Sequence, residues 1–436
     1  MKKLIIMQLM SLFIFSNESI YPKSTNLIDN NLETKGYIIE INITKPKYKE
    51  SIKEIGKFDT KITRVTDNSR EELLIHHYSK DAVWNSNSKY MILSKRLLDA
   101  KTFDVIKRLS SKKRWSNLYP NIRYGIKKSS KYAYNIVKET IPSGDIETLY
   151  KLKDRYIRLT IGEYEGNLDY NDNYIVLTGL KKDNKKSKTV TIILYNFKTN
   201  RVIIKDFNGQ NGTKRLFIDK KRRENRLNWA TISPLGRYVI IHRYDKIKKR
   251  NEKHISWNKR VERYSLELKY IDTISYKGGH GDLCVSENGL REYLVQFETR
   301  GNGAEDRYID SGDRGVWEYD LESGKRDIIA KNHGGGHVSC RNYKRKGWAY
   351  ISYKSLKSKY RDIFAIKLGQ EGLNKKGERI VNRFAKARYM QKINSGYGYH
   401  DQSPHACPNP DGSKVIFKSN WSKCDNILDD FVVERR

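Results

Sequence analysis

The chain is 436 residues long, with 37% hydrophobic residues, 30 Tyr, only 8 Pro, and 86 Lys+Arg against 51 Asp+Glu for a formal net charge of +35. The apolar content and the scarcity of proline exclude a disordered, proline-rich polymer, and the length accommodates several small domains or one closed all-β ring. A field of this sign attracts polyanions such as nucleic acid, anionic lipid or acidic polysaccharide, while part of the excess is compositional bias, since Lys, Asn and Ile are high throughout.

At the N-terminus, Met1-Lys2-Lys3 lead into an apolar run from Leu4 to Phe15 broken only by Gln8 and Ser11, and the chain turns polar at Ser16. This is the pattern of a signal peptide, taken as residues 1–22, with residues 23–436 as a single mature domain. The run is short for a bilayer span and no later stretch approaches that length, so the expected mature chain has no membrane span and is secreted or periplasmic. An uncleaved anchor is the alternative, because the small-residue cleavage pattern is missing. Export disfavours nucleic acid as the polyanion and favours acidic polysaccharide.

From Trp84 onward one unit recurs: a turn rich in Asn, Ser, Pro or Gly, then a short apolar strand. It appears as Asn85-Ser86-Asn87-Ser88 before Tyr90, as Asn171-Asp172-Asn173 before Tyr174, and as Ser233-Pro234-Leu235-Gly236 before Tyr238. It continues as Ser286-Glu287-Asn288-Gly289 before Tyr293, Lys346-Gly347 before Trp348, and Pro410-Asp411-Gly412 before Val415, with a degenerate copy between Tyr119 and Tyr134. Each reads as the hairpin between the first two strands of a blade, and a spacing of roughly 35 to 65 residues fits four-stranded blades with loop insertions. The expected fold is an all-β, seven-bladed β-propeller, with residues 37–41 as a candidate strand to close the ring. Two lysine-rich runs, 181–186 and 246–250, fall between strand patterns and read as loop tips.

The last three units carry histidine and cysteine just before or inside their first strand: Gly279-His280-Gly281-Asp282-Leu283-Cys284, Gly336-His337-Val338-Ser339-Cys340 and Pro404-His405-Ala406-Cys407. The innermost strands of a propeller line its axis, so equivalent positions in successive blades converge, and imidazole with thiolate suits zinc. The expected ligands are His280, His337, Cys340 and His405. Two alternatives stand beside this: hydrogen-bonded core histidines with apolar cysteines, or a disulfide between Cys284 and Cys407, which match in position relative to their turn glycines.

These strings, together with Arg341-Asn342, Gly347-Trp348-Ala349-Tyr350 and Ser419-Asn420-Trp421, resemble the propeller polysaccharide lyases: the ulvan lyases and, more distantly, the oligogalacturonate lyases. The resemblance implies a seven-bladed ring, a metal near its axis and β-elimination on a uronate-containing, possibly sulfated polysaccharide. It departs from the oligogalacturonate lyases in having cysteine among the candidate ligands, which points to zinc in a structural role. The segment His76-His77-Tyr78-Ser79-Lys80 resembles one that such lyases place at the channel mouth. Elimination needs a group to neutralise the carboxylate, a base and an acid, and His77 with His242, Arg243 and Tyr244 are the candidates. The competing function is a non-catalytic propeller that binds glycan or protein, braced by zinc.

Overall fold

The computed structural model describes residues 44–54, 58–69, 74–109, 113–182, 188–209, 215–218, 225–247, 256–276, 279–298, 315–331, 335–353, 362–388, 403–421 and 427–435. The expected signal peptide, residues 1–22, together with residues 37–41, Cys424 and the lysine-run residues 183–186 and 248–250, lies outside the described residues.

One hydrogen bond explains why the turn composition recurs. In five of the seven blades a short polar side chain ending the first strand accepts from the backbone N–H five residues on: Asn85 from Tyr90, Asp169 from Tyr174, Ser233 from Tyr238, Ser286 from Arg291 and Asn409 from Lys414, at 2.6 to 3.0 Å. This bond is local and closes the turn without needing a long-range contact. The turn then needs a left-handed residue, and Gly236 (φ +72°), Gly289 (φ +76°) and Gly412 (φ +70°) supply it without a Cβ clash.

The strands form seven antiparallel sheets in chain order. The first blade has Tyr90–Leu93, Arg96–Asp99 and Val105–Arg108, and its innermost strand is reduced to the bridge between Trp84 and Met91. Blades two to six each have four strands and begin at Lys113–Trp115, Arg158–Ile161, Leu227–Ile232, Gly281–Val285 and Gly336–Ser339. The seventh runs outward as Cys407–Pro408, Lys414–Ser419 and Asp429–Arg435, and the N-terminal strands Thr60–Arg64 and Ser51–Glu54 complete it. The chain is therefore a seven-bladed β-propeller, and the strand that closes it among the described residues is Thr60–Arg64.

The core is divided among the blades. Seven apolar clusters each fill one gap between neighbours; the gap between blades five and six holds Val295, Phe297, Ile351 and Phe364. At the axis, Tyr170, Val285 and Tyr343 pack together at the end where the first hairpins lie. Segments entering each first strand lie at the opposite end, because strands alternate in direction. No helix among the described residues is long and apolar enough to cross a membrane.

Closure depends on a ladder running from Thr60 opposite Arg435 to Arg64 opposite Phe431. Ile62 is fully buried from this strand among Phe384, Phe417, Phe431 and Val433, and the Thr60 hydroxyl donates to the Phe384 carbonyl at 2.8 Å. Ile62→Ala should therefore destabilise the whole ring by about 2–5 kcal/mol in denaturant unfolding; a loss well under ~1 kcal/mol would mean that the ring does not rely on this strand.

Candidate functional site

The segment from Leu74 to Asp81 carries the chain from the rim of the seventh blade to the first strand of blade one, and its residues go to different places. His76 is fully buried: its Nδ1 is 2.6 Å from Asp430 Oδ1, and its Nε2 donates to the His405 carbonyl at 2.8 Å. Tyr78 reaches the axis, where its hydroxyl is 2.9 Å from His280 Nδ1. His77, between them, is exposed and lines a separate cleft between blades one and two. The structure thus brings Tyr78, and not His77, to the histidine cluster.

His280, His337 and His405 do converge, as their matching positions before or at the start of first strands require. Ring centroids are 4.6 Å apart for His280 and His337 and 4.1 Å for His337 and His405, and the Tyr78 ring stands edge-on to His337 at 5.3 Å and His405 at 4.9 Å. Both imidazole nitrogens of His405 are buried without a hydrogen-bond partner. Burial, then the charge of Lys418, holds the His405 pKa well below the ordinary imidazole value, so the ring is neutral and keeps a lone pair. Cys340 does not join them as a thiolate: its sulfur is bonded to Cys284, with Cα atoms 5.3 Å apart. The pairing of Cys284 with Cys407 is corrected by the same bond, and Cys407 is a free, buried thiol with its pKa pushed up to about 12 by burial. Among the described residues no group of three or more His, Cys, Asp or Glu is set as a metal centre.

Blade four supplies the facing wall. Along the strand Val239–Ile247 side chains alternate, so His242 and Tyr244 share one face, with rings stacked at 6.0 Å and 29°, and Arg243 takes the other. Arg243 is fully buried and gives Nε and Nη2 to Glu262 Oε1 at 2.9 and 2.6 Å and Nη1 to Asn225 Oδ1 at 3.0 Å. It is a strut of the blade, and the role foreseen for it at the channel mouth is corrected. The Asn228 amide donates to His242 Nδ1 at 2.9 Å, which places the ring proton on Nε2. Burial, then Lys259 and Lys80, holds the His242 pKa well below its ordinary value.

Several neighbours were not foreseen. The Arg226 guanidinium lies 4.2 Å over the Tyr244 ring, with Lys259 at 5.7 Å, and burial together with Arg226 pulls the Lys259 pKa down. Lys80 sits 4.0 Å over Trp229 and pairs with Glu165 at 2.8 Å. Glu165 comes from a break in blade three's innermost strand, where Gly162, Glu163 and Tyr164 all have positive φ and Arg114 donates to the Tyr164 and Gly166 carbonyls at 2.6 Å. Burial, then the Glu165 and Asp282 charges, raises the Tyr78 pKa well above the ordinary phenol value, so Tyr78 keeps its proton. Tyr244 is among the groups whose charge acts on Tyr78, and His280, Lys259 and Arg226 are among those that act on His242, so these polar side chains are neighbours.

No family model matches the chain, and no curated protein matches it. Among solved structures, an oligogalacturonate lyase from Vibrio parahaemolyticus is similar at 10% identity with a TM-score of 0.55, over 88% of this chain and 96% of that one. A hydrazine synthase from Kuenenia stuttgartiensis aligns at 9% identity and TM-score 0.44, over 84% and 98% of the two chains. TolB from Acinetobacter baumannii aligns at 10% identity and TM-score 0.35, over 78% and 75%. The first of these likenesses shows a shared fold.

The buried neutral histidines predict a pH dependence. Unfolded, His405 takes up a proton below its ordinary pKa of 6.5, whereas folded it does not, so its contribution is full above that pH and is lost as pH falls. Glu292, raised to about 7, and Asp169, raised to about 6, both by burial, act in the opposite sense across the same range. His405→Gln isolates the histidine: in chelator, the slope of stability against pH between pH 6 and 5 should drop by up to about 1.4 kcal/mol per pH unit relative to wild type. Parallel slopes would mean that His405 protonates freely in the fold.

Proposed function

We propose that the chain is a polysaccharide lyase that cleaves an acidic, uronate-containing polysaccharide by β-elimination, as the resemblance to the ulvan lyases implies. The observation that carries this reading is that the Tyr78–His280 pair lies within electrostatic reach of Tyr244 and His242, which Arg226 and Lys259 flank. Fold likeness to a protein described as an oligogalacturonate lyase is compatible with it.

Arg226 and Lys259 crowd like charge together at Tyr244, and a substrate carboxylate seated there relieves that crowding. The His242 Nε2–H adds a neutral donor. Together they neutralise the uronate carboxylate and stabilise the charge that develops when C5 loses its proton. Tyr244 takes the C5 proton on its phenolic oxygen as its own hydroxyl proton passes to solvent. The C4–O bond then breaks as the C4=C5 double bond forms, and Tyr78 delivers its proton to the leaving oxygen. Tyr78 recovers a proton from solvent, so no net proton is consumed. His280 Nδ1 fixes the Tyr78 hydroxyl.

For zinc, the residues that fit are His280, His337 and His405, on the strength of three converging imidazoles and the two buried, unpartnered nitrogens of His405. Bound there, zinc would tie together the entry points of three successive blades. His77 and Arg243 take no part in this scheme.

Tyr78→Phe and Tyr244→Phe should each lower turnover about 10²–10⁴-fold on whichever of ulvan, pectate, alginate or a glycosaminoglycan gives ultraviolet-absorbing unsaturated product, with the melting temperature little changed. Wild-type protein inactive on every uronate polymer, or phenylalanine variants of near-normal turnover, would refute the assignment. Purified protein should also carry about one zinc per chain, lost together with thermal stability in His337→Ala; metal-free protein after purification without chelator would remove zinc from the account.

A further inference from the structure

Between the last strand of blade two, Ile146–Lys151, and the first strand of blade three, Arg158–Ile161, the chain crosses from the rim of the ring to the axis at the end where first strands begin. Leu152 N–H donates to the Tyr134 carbonyl at 3.1 Å and Tyr156 N–H to the Tyr132 carbonyl at 2.9 Å, which holds this crossing beside the hairpin between blade two's second and third strands. Residues 127–133 and 151–158 together carry seven cations and one carboxylate, Asp154, and Lys181 takes that carboxylate at 2.7 Å. Arg158 pairs with Glu163. Lys128, Lys131 and Arg155 are exposed and stand in no ion pair among the described residues. Each lies over a tyrosine ring instead, Lys131 and Arg155 at 5.4 and 5.2 Å from the centre of Tyr132 and Lys128 at 5.9 Å from that of Tyr134. A ring orients a cation without cancelling its charge.

Toward the axis, Arg158 stands 5.7 Å from the ring of Tyr164, which is 48% exposed, and the next residue, Glu165, acts through its charge on Tyr78. Oriented, uncancelled cations therefore line a path from the rim to the reacting group. We propose that this strip binds the acidic polysaccharide beyond the sugar that reacts, so that the protein takes long chains in preference to short oligomers, a reading that rests on the lyase assignment for the place of the reacting sugar. Negative groups repeated along a linear chain would meet Lys131, Arg155 and Lys128 in turn, and the partly exposed rings of Tyr132 and Tyr164 offer apolar surface to the C–H faces of the sugars. From Leu152 to Arg158 an extended chain reaches at most about 20 Å, which is the length of several sugar units.

Calorimetry with a trigalacturonate and a decagalacturonate tests the strip, in a Tyr78→Phe background so that neither probe is consumed. The longer probe should bind at least about 10-fold tighter, and Lys131→Glu combined with Arg155→Glu should remove most of that advantage while changing the shorter probe less than about 2-fold, the scale of reversing two close charge pairs. Lys101 and Lys198 are exposed on turns between third and fourth strands, at the opposite end of the ring, so Lys101→Glu combined with Lys198→Glu changes the net charge equally and should move either probe less than about 2-fold. Equal affinity for the two probes, a length advantage untouched by the Lys131 and Arg155 substitutions, equal weakening by the two double variants, or no binding of decagalacturonate would overturn the proposal. Length-dependent binding through Lys131 and Arg155, with wild type releasing no unsaturated product from any uronate polymer, would sink the lyase assignment and leave the strip standing.

Discussion

The structure depends on where its ring is closed. Because Thr60–Arg64 pairs with Asp429–Arg435 on the outer side of the last blade, the chain must next travel from the rim to the axis to start blade one at Trp84. That crossing lays His76, Tyr78 and Lys80 against blades three to seven. His76 anchors it by bridging Asp430 of the closing blade to the His405 carbonyl, and Asn68 adds bonds to Asp429 and Leu428. A hydroxyl far from the other site residues in sequence is thereby held 2.9 Å from His280. The strand that closes the ring is thus followed directly in the chain by the segment that carries Tyr78 to the axis.

Around that crossing the electrostatics are set mainly by removal from water. Burial is the largest influence on Tyr78, His242, Lys259 and His405 alike, and in each it favours the uncharged form. A neutral imidazole, a firmly protonated phenol and crowded cations are the states that a carboxylate ligand and a departing sugar oxygen would meet. Elsewhere the buried charges are structural: Arg243 with Glu262, Arg341 with Asp282, and Arg379 with Glu318 and Asp327 stitch strands and blades together. Removing one partner from such a pair strands the other charge, which makes these arginines poor candidates for chemistry.

The sequence showed the ring well because the first hairpin of each blade depends on local bonds: a short polar side chain, a left-handed residue and an apolar strand leave a visible string each time. The three histidines were legible for the same reason, since equivalent positions in successive blades must converge. Reading Val239–Ile247 with period two separates Arg243 from His242 and Tyr244, and the irregular segment His76-His77-Tyr78 gives no such period, so that Tyr78 rather than His77 reaches the histidines was not legible. Arg226 and Lys259 were invisible among 86 basic residues, and the partner of Cys284 depends on blade-to-blade distance, which spacing does not encode.

If this group of side chains performs an elimination, the products report on it directly. Uronate polymer digested in heavy-oxygen water and analysed by mass spectrometry should give an unsaturated end and a matching new end, neither carrying solvent oxygen, because C4–O cleavage by elimination adds no water. Incorporation of one heavy oxygen per cut would mean hydrolysis, and an unaltered polymer would mean that the cluster binds its ligand without breaking it.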